Sequence, residues 1–163
     1  MKNILYIFMR NDLPSMNAGK AMAQASHASS QFIRLFRPEN NEIVRRWCDE
    51  GKGFGTTIVL EGDKYSIDMI LQECKGKTYC ECQGDVIDET YPFKGQYEIL
   101  RLLIQDAEYH NIKYNDDAKP DENGMIDCTR SEHTCSWMFF FGDDNAKENF
   151  RRLCEQYNVH LHR

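Results

Sequence analysis

Lys20, Gln24 and His27 are spaced i, i+4 and i+7, so a helix here lines up a cation, an amide and an imidazole on one stripe. In the first turn of such a helix, unpaired N–H groups and the positive dipole end suit an anion, and Lys20 falls in or near that turn. The same spacing also describes the solvated side of an ordinary amphipathic helix. Gly19-Lys20-Ala21 is not a nucleotide phosphate loop, since the upstream glycine and the hydroxyl residue after the lysine are both missing. Cys80, Cys82, Cys128, His133 and Cys135 are zinc-ligand types, but the chain contains no Cys-x-x-Cys pair. A Cys-x-Cys strand would point both thiols to one face for packing, so the expected metal ligands and cofactors are none.

These side chains need elements to position them. Residues 2–9 (KNILYIFM) form a continuous apolar run, the pattern of a strand buried on both faces. Ser15 or Asn17 can cap a helix running to about Phe36, where Arg37-Pro38 stops it. Met22, Ala25, Phe32, Ile33 and Phe36 are expected to face its core. A short helix over 42–49 and a strand over 56–60 follow. After them come a helix over 65–74 and a third strand over 78–83. Residues 96–111 are amphipathic, with Ile99, Leu102, Leu103 and Ala107 on one stripe, and 112–133 read as a polar excursion. A strand over 136–141 and a helix capped at Asp143-Asp144-Asn145 complete an alternating pattern. That pattern is an α/β three-layer architecture: a small mixed β-sheet flanked by helices.

The chain has 163 residues, 41% hydrophobic and 28% charged, which suits one folded domain spanning 1–163 and excludes a disordered or fibrous chain. No apolar run reaches the ~18–20 residues of a membrane helix, and residues 1–9 are too short for a signal peptide. A cytoplasmic protein with reduced thiols and no membrane partner is therefore expected. Net charge is −6, yet residues 1–60 hold eight Lys/Arg against five Asp/Glu. That makes this part +3 and leaves −9 for the rest. A locally basic region can still bind a phosphate backbone.

The stretch Met9-Arg10-Asn11-Asp12-Leu13, then Gly19-Lys20, then Ala23-Gln24-Ala25-Ser26-His27-Ala28 resembles the signature of type 2 peptidyl-tRNA hydrolases. Weaker similarity runs through Trp47, the strand at 56–60 and the helix at 65–74, and returns at Phe141-Gly142, the closing helix and residues 158–161. Residues 96–133 have no counterpart and look like an insertion. The resemblance implies a compact α/β fold that hydrolyses the ester between a peptide and the tRNA 3′ ribose without a metal, with tRNA or peptidyl-tRNA as partner. It places Lys20 and His27 on family site positions. The family's second motif, Asp-Ala-Gly-Arg-Thr, falls on 84–90 (GDVIDET), expected as a loop. Gapless threading puts Thr90 on the family threonine and Val86, not an acid, on the family aspartate. Asp85 is one position off and Asp88 two. A family threonine of the last strand falls near Ser136 or Trp137.

On that basis Asp85 or Asp88 would act as general base toward water, with Glu89 completing an acidic cluster; turn carboxylates of no function would look the same. Lys20, helped by the helix N–H groups, would stabilise the oxyanion or hold a terminal phosphate. His27 would bind phosphate or carry a proton, with Gln24 orienting one of these groups. Arg10, Asn11, Asp12, Gly19, Ser136 and the arginines Arg34, Arg37, Arg45 and Arg46 are the expected substrate-side residues. The alternative is a binding module on the same fold, with altered chemistry and a protein partner docked on 96–133. A homodimer is left open.

Overall fold

The computed structural model describes residues 1–103, 111–115 and 117–162. In chain order the elements are β1 (Lys2–Arg10), α1 (Ala18–Leu35), α2 (Glu42–Glu50), β2 (Thr57–Gly62), α3 (Lys64–Cys74) and β3 (Cys80–Gln96). There follow α4 (Tyr97–Leu103), β4 (Lys113–Tyr114), β5 (Met125–Gly142), α5 (Asp144–Gln156) and β6 (His160–Leu161). The chain forms two compact units, residues 1–86 with 134–163, and residues 87–133.

The apolar run at the start becomes β1 because each of its faces has a layer of helices to bury it. Ile4, Tyr6 and Phe8 enter one core with Ile67 and Ile70 of α3 and Phe150 of α5. Leu5, Ile7 and Met9 enter the other with Ala21, Ala28 and Phe32 of α1 and Val44 and Trp47 of α2. The sheet order is β3-β5-β1-β2-β6, with β4 beside β5. β1 runs parallel to β2 and antiparallel to β5, so the sheet is mixed, as expected. Trp47 is held by its indole N–H on the Thr56 carbonyl at 2.8 Å. Gly55, at φ +73°, lies so close that a Cβ would fall 2.0 Å from that ring.

The second unit has its own small core. Leu100, Ile126 and Cys128 are buried there, with Phe93, Tyr97, Ile112, Tyr114 and Ala118 packed around them. Arg130 lies over the Phe93 ring, 4.8 Å from its centroid, and pairs with Glu132 at 2.9 Å.

Several expectations are corrected. Residues 84–90 are strand, not loop, because β3 continues from Cys80 to Gln96. β5 begins at Met125, so the final part of the expected excursion is also strand; Ile126 and Cys128 are buried while Asp127 between them is exposed. Met22 does not face the core: it is 70% exposed, since the buried stripe of α1 is Ala21, Gln24, Ala28 and Phe32. Cys80 and Cys82 do not share a face. Cys80 opens the strand directly after the turn closed by its N–H on the Lys77 carbonyl and packs on the α3 side, whereas Cys82 packs on the α1 side. In α4 Leu100 is buried, while Ile99 and Leu102 of the expected stripe are exposed. Residues 104–110 of the helix expected over 96–111, Ala107 among them, lie outside the described residues.

Candidate functional site

The first turn of α1 follows the carboxyl end of β1, the position where parallel α/β sheets gather ligands. Asn17 is the cap: its side chain accepts the Lys20 N–H at 3.0 Å. Gly19 is the second residue of the helix, and Lys20 stands half-buried just behind it. Lys20 is therefore in the first turn, where its charge adds to the dipole end.

At the end of β1, Arg10 is 9% exposed and makes a fork to Asp12, with Nε to Oδ1 at 2.9 Å and Nη2 to Oδ2 at 2.8 Å. The guanidinium holds the Asp12 carboxyl below the usual carboxylate range, helped by the backbone N–H of Lys64 at the start of α3. Asn11 is exposed, its N–H on the Gly62 carbonyl at 3.0 Å. Arg10 and Asp12 thus fix one another.

Gln24 does not lie on an exposed face. It is 4% exposed, and its amide oxygen accepts the hydroxyl of fully buried Thr134 at 2.6 Å. At 100° per residue the stripe of Lys20, Gln24 and His27 borders the buried stripe of α1, so the three differ in depth. His27, at its outer margin, is exposed. Lys20 and His27 are seven residues apart, about 10.5 Å along the helix axis, too far to hold the same reacting atom without a spanning substrate.

Asp85 is gripped from both faces of the sheet. Its carboxylate accepts the Ser136 hydroxyl at 2.7 Å. Its carbonyl accepts the Gln31 amide at 3.1 Å, and the Gln31 oxygen in turn accepts the Trp137 indole N–H at 2.7 Å. Ser136 is paired in register with Phe8, two residues before Arg10 on β1. Gly84 leaves no room for a side chain, since a Cβ would lie 2.4 Å from the Trp137 ring. Val86, which gapless threading sets on the family aspartate, is buried in the α1-side core. Cys135, beside these groups, has its thiol pushed up to about 12, first by burial and further by Asp85.

The remaining expected residues are placed apart from this set or in the other unit. Asp88 and Thr90 belong to the second unit, where Asp88 Oδ1 accepts both the Thr90 N–H at 2.9 Å and its hydroxyl at 3.1 Å. Arg45 and Arg46 are exposed on α2, with Arg46 paired to Glu42 at 2.6 Å. Among the described residues no three His, Cys, Asp or Glu side chains are grouped to hold a metal ion, and all seven cysteines are free thiols. Thr134 and Gln31 were not singled out from the sequence. Thr134 sits two residues before Ser136, so the strand's polar hydroxyls were the available signal.

Comparison with curated proteins gives no match. The model of the family described as Peptidyl-tRNA hydrolase PTH2 matches residues 3–82. Those residues hold β1, α1, α2, β2, α3 and the start of β3, including Arg10, Asp12, Lys20, Gln24 and His27. Asp85, Ser136 and the closing helix lie beyond the match. Through residues 3–82 the chain belongs to the type 2 peptidyl-tRNA hydrolase family.

Proposed function

We propose that the protein hydrolyses the ester joining a peptide or N-acyl amino acid to the tRNA 3′ ribose, with Asp85 as the base. The observation that carries the choice of base is the two-sided hold on Asp85, by Ser136 on its carboxylate and by Gln31 on its carbonyl. An acid used to position water needs this fixity. Asp88 belongs to the second unit, where its Oδ1 accepts two bonds from Thr90.

Asp85 takes a proton from water as the water oxygen attacks the ester carbonyl carbon. Lys20 and the first-turn N–H groups of α1 hold the terminal phosphate of the tRNA end while the ester reaches Asp85. Collapse breaks the bond to the ribose oxygen, which takes back the proton held by Asp85 and leaves as the hydroxyl of free tRNA, while the peptide acid ionises to its carboxylate. Thr134 fixes Gln24, and Gln24 orients the substrate end beside Lys20. His27, two turns further on, contacts the tRNA backbone together with Arg34, Arg37, Arg45 and Arg46.

The test is release of N-acetyl-phenylalanine from its tRNA ester. Lys20→Ala is expected to raise KM and cut kcat/KM roughly tenfold, the cost of losing one charged phosphate contact. Asp85→Asn should cut it at least ~10²-fold, while Asp88→Asn leaves it within about threefold. Equal loss in both aspartate variants, or in neither, overturns the choice of base. A folded wild type without turnover favours the binding module, a reading that the buried Val86 at the family acid position also supports.

A further inference from the structure

A polar groove of about 790 Å³ runs between α3 and the first residues of β3, and Asp85 lies at one end of it. Its size is within the ~300–1,000 Å³ of ordinary ligand sites. One wall is β3 itself, from Cys80 to Asp85. β3 stands last in the strand order, and in the first unit its sheet neighbour is β5, so among the described residues its other side is a sheet edge. No proline interrupts 80–86, and an uninterrupted edge offers main-chain N–H and C=O groups to an added strand. The opposite wall is the end of α3, tied to β3 where the Gln83 amide donates to the Leu71 carbonyl at 2.7 Å. Asp68, Glu81 and Asp85 face Lys75 in the lining, and Asp68 is paired with Lys64 at 2.5 Å, so three carboxylates stand against two ammonium groups. The sulfurs of Cys80 and Cys82 in the wall are neutral, because burial pushes both thiols up.

We propose that this groove is the peptide subsite: the last few residues of the substrate's peptidyl group lie along β3 as an added strand. The inference rests on the reading of Asp85 as the base. The ester carbonyl must sit at Asp85, so the peptide's C-terminal end lies there and its earlier residues lie back toward Lys75 and Gly76. Since β3 runs from Cys80 toward Asp85, the added strand is parallel to it. Six residues of β3 span about 17–20 Å, room for three or four peptide residues. The excess of carboxylates selects peptides with basic side chains over those with acidic ones.

Three substrates separate the possibilities: N-acetyl-phenylalanyl-tRNA, and tRNA carrying acetyl-Gly-Lys-Phe or acetyl-Gly-Glu-Phe. The lysine peptide is expected to be cleaved with the higher kcat/KM of the two. Glu81→Lys should reverse that order by about tenfold, as a single reversed surface charge does. Gln72→Trp, which fills the groove from the exposed end of α3, should depress both tripeptide substrates and spare acetyl-phenylalanyl-tRNA. In parallel, the amide resonances of 72–76 and 80–85 are followed while acetyl-Gly-Lys-Phe amide is titrated into the wild type. Shifts confined to those residues support the subsite even if no ester is cleaved, in which case the hydrolase reading fails alone. Cleavage of all three substrates with both variants harmless, or shifts elsewhere, overturns the subsite.

Discussion

Arg10 and Asp12, expected on the substrate side, hold one another at the end of β1. The fork between them leaves the Asp12 carboxyl depressed, with the side-chain bonds to Arg10 as the first cause. A carboxyl whose folded value is lowered contributes stability that is present above its unfolded value, ~3.9, and is lost as pH falls through the folded value. Asp12→Asn should therefore destabilise the protein by about 0.5–1 kcal/mol at pH 7, the pair being partly screened by solvent, with the gap from wild type closing below about pH 4 in urea titrations. Gly84 is a second case. Its missing Cβ lets β3 close on the Trp137 ring, so Gly84→Ala should cost about 1–3 kcal/mol of unfolding free energy by overpacking. Lys20 was placed from spacing and resemblance together, and the cap at Asn17 bears out its position in the first turn. Gln24 was not readable in the same way. Periodicity puts it beside Lys20, but whether an amide at the margin of a stripe is wet or buried depends on what β5 offers it. That turned out to be the hydroxyl of Thr134.

Among the elements, those with an unambiguous period were predicted within a residue or two: β1, α1, α2, β2, α3 and α5. The long extension of β3 is hidden because Gly84, Asp85, Asp88, Pro92 and Gly95 are turn formers by composition, and that of β5 because 127–133 is mostly polar. Their strand state is decided by pairing between distant segments, which no local window contains. The short strands β4 and β6, two residues each, carry no period to read. α1 supplies a sharper test of function. At Gly19 a Cβ would make only an ordinary contact, 3.5 Å from Asn17 Oδ1, and glycine within a helix costs ~0.5–1 kcal/mol relative to alanine. Gly19→Ala should thus leave stability unchanged or raise it by up to ~1 kcal/mol. If substrate approaches the backbone there, kcat/KM falls in the same variant. Thermal unfolding and turnover measured together distinguish a spacer from a place kept bare for a ligand.

Charge is divided between the two units in a way that bears on how tRNA is met. Residues 87–133 hold eleven Asp/Glu and five Lys/Arg, a formal −6 that equals the charge of the entire chain, so the first unit is neutral overall. The arginines expected on the tRNA side, Arg34, Arg45 and Arg46, lie on α1 and α2 of the first unit. The second unit therefore has the wrong sign for a phosphate-binding surface, and its field opposes a polyanion rather than steering it. Glu89, Glu98 and Glu122 are exposed there. Replacing all three with glutamine should leave stability within about 0.5 kcal/mol, as surface changes usually do. Affinity for tRNA should rise several-fold at ~0.01 M salt, where the Debye length is ~30 Å, and the gain should vanish near 1 M, where it is ~3 Å. Binding isotherms at the two salt concentrations check this. A gain that persists at high salt would mean these carboxylates touch the RNA. No gain at low salt would mean the RNA docks beyond the reach of their field.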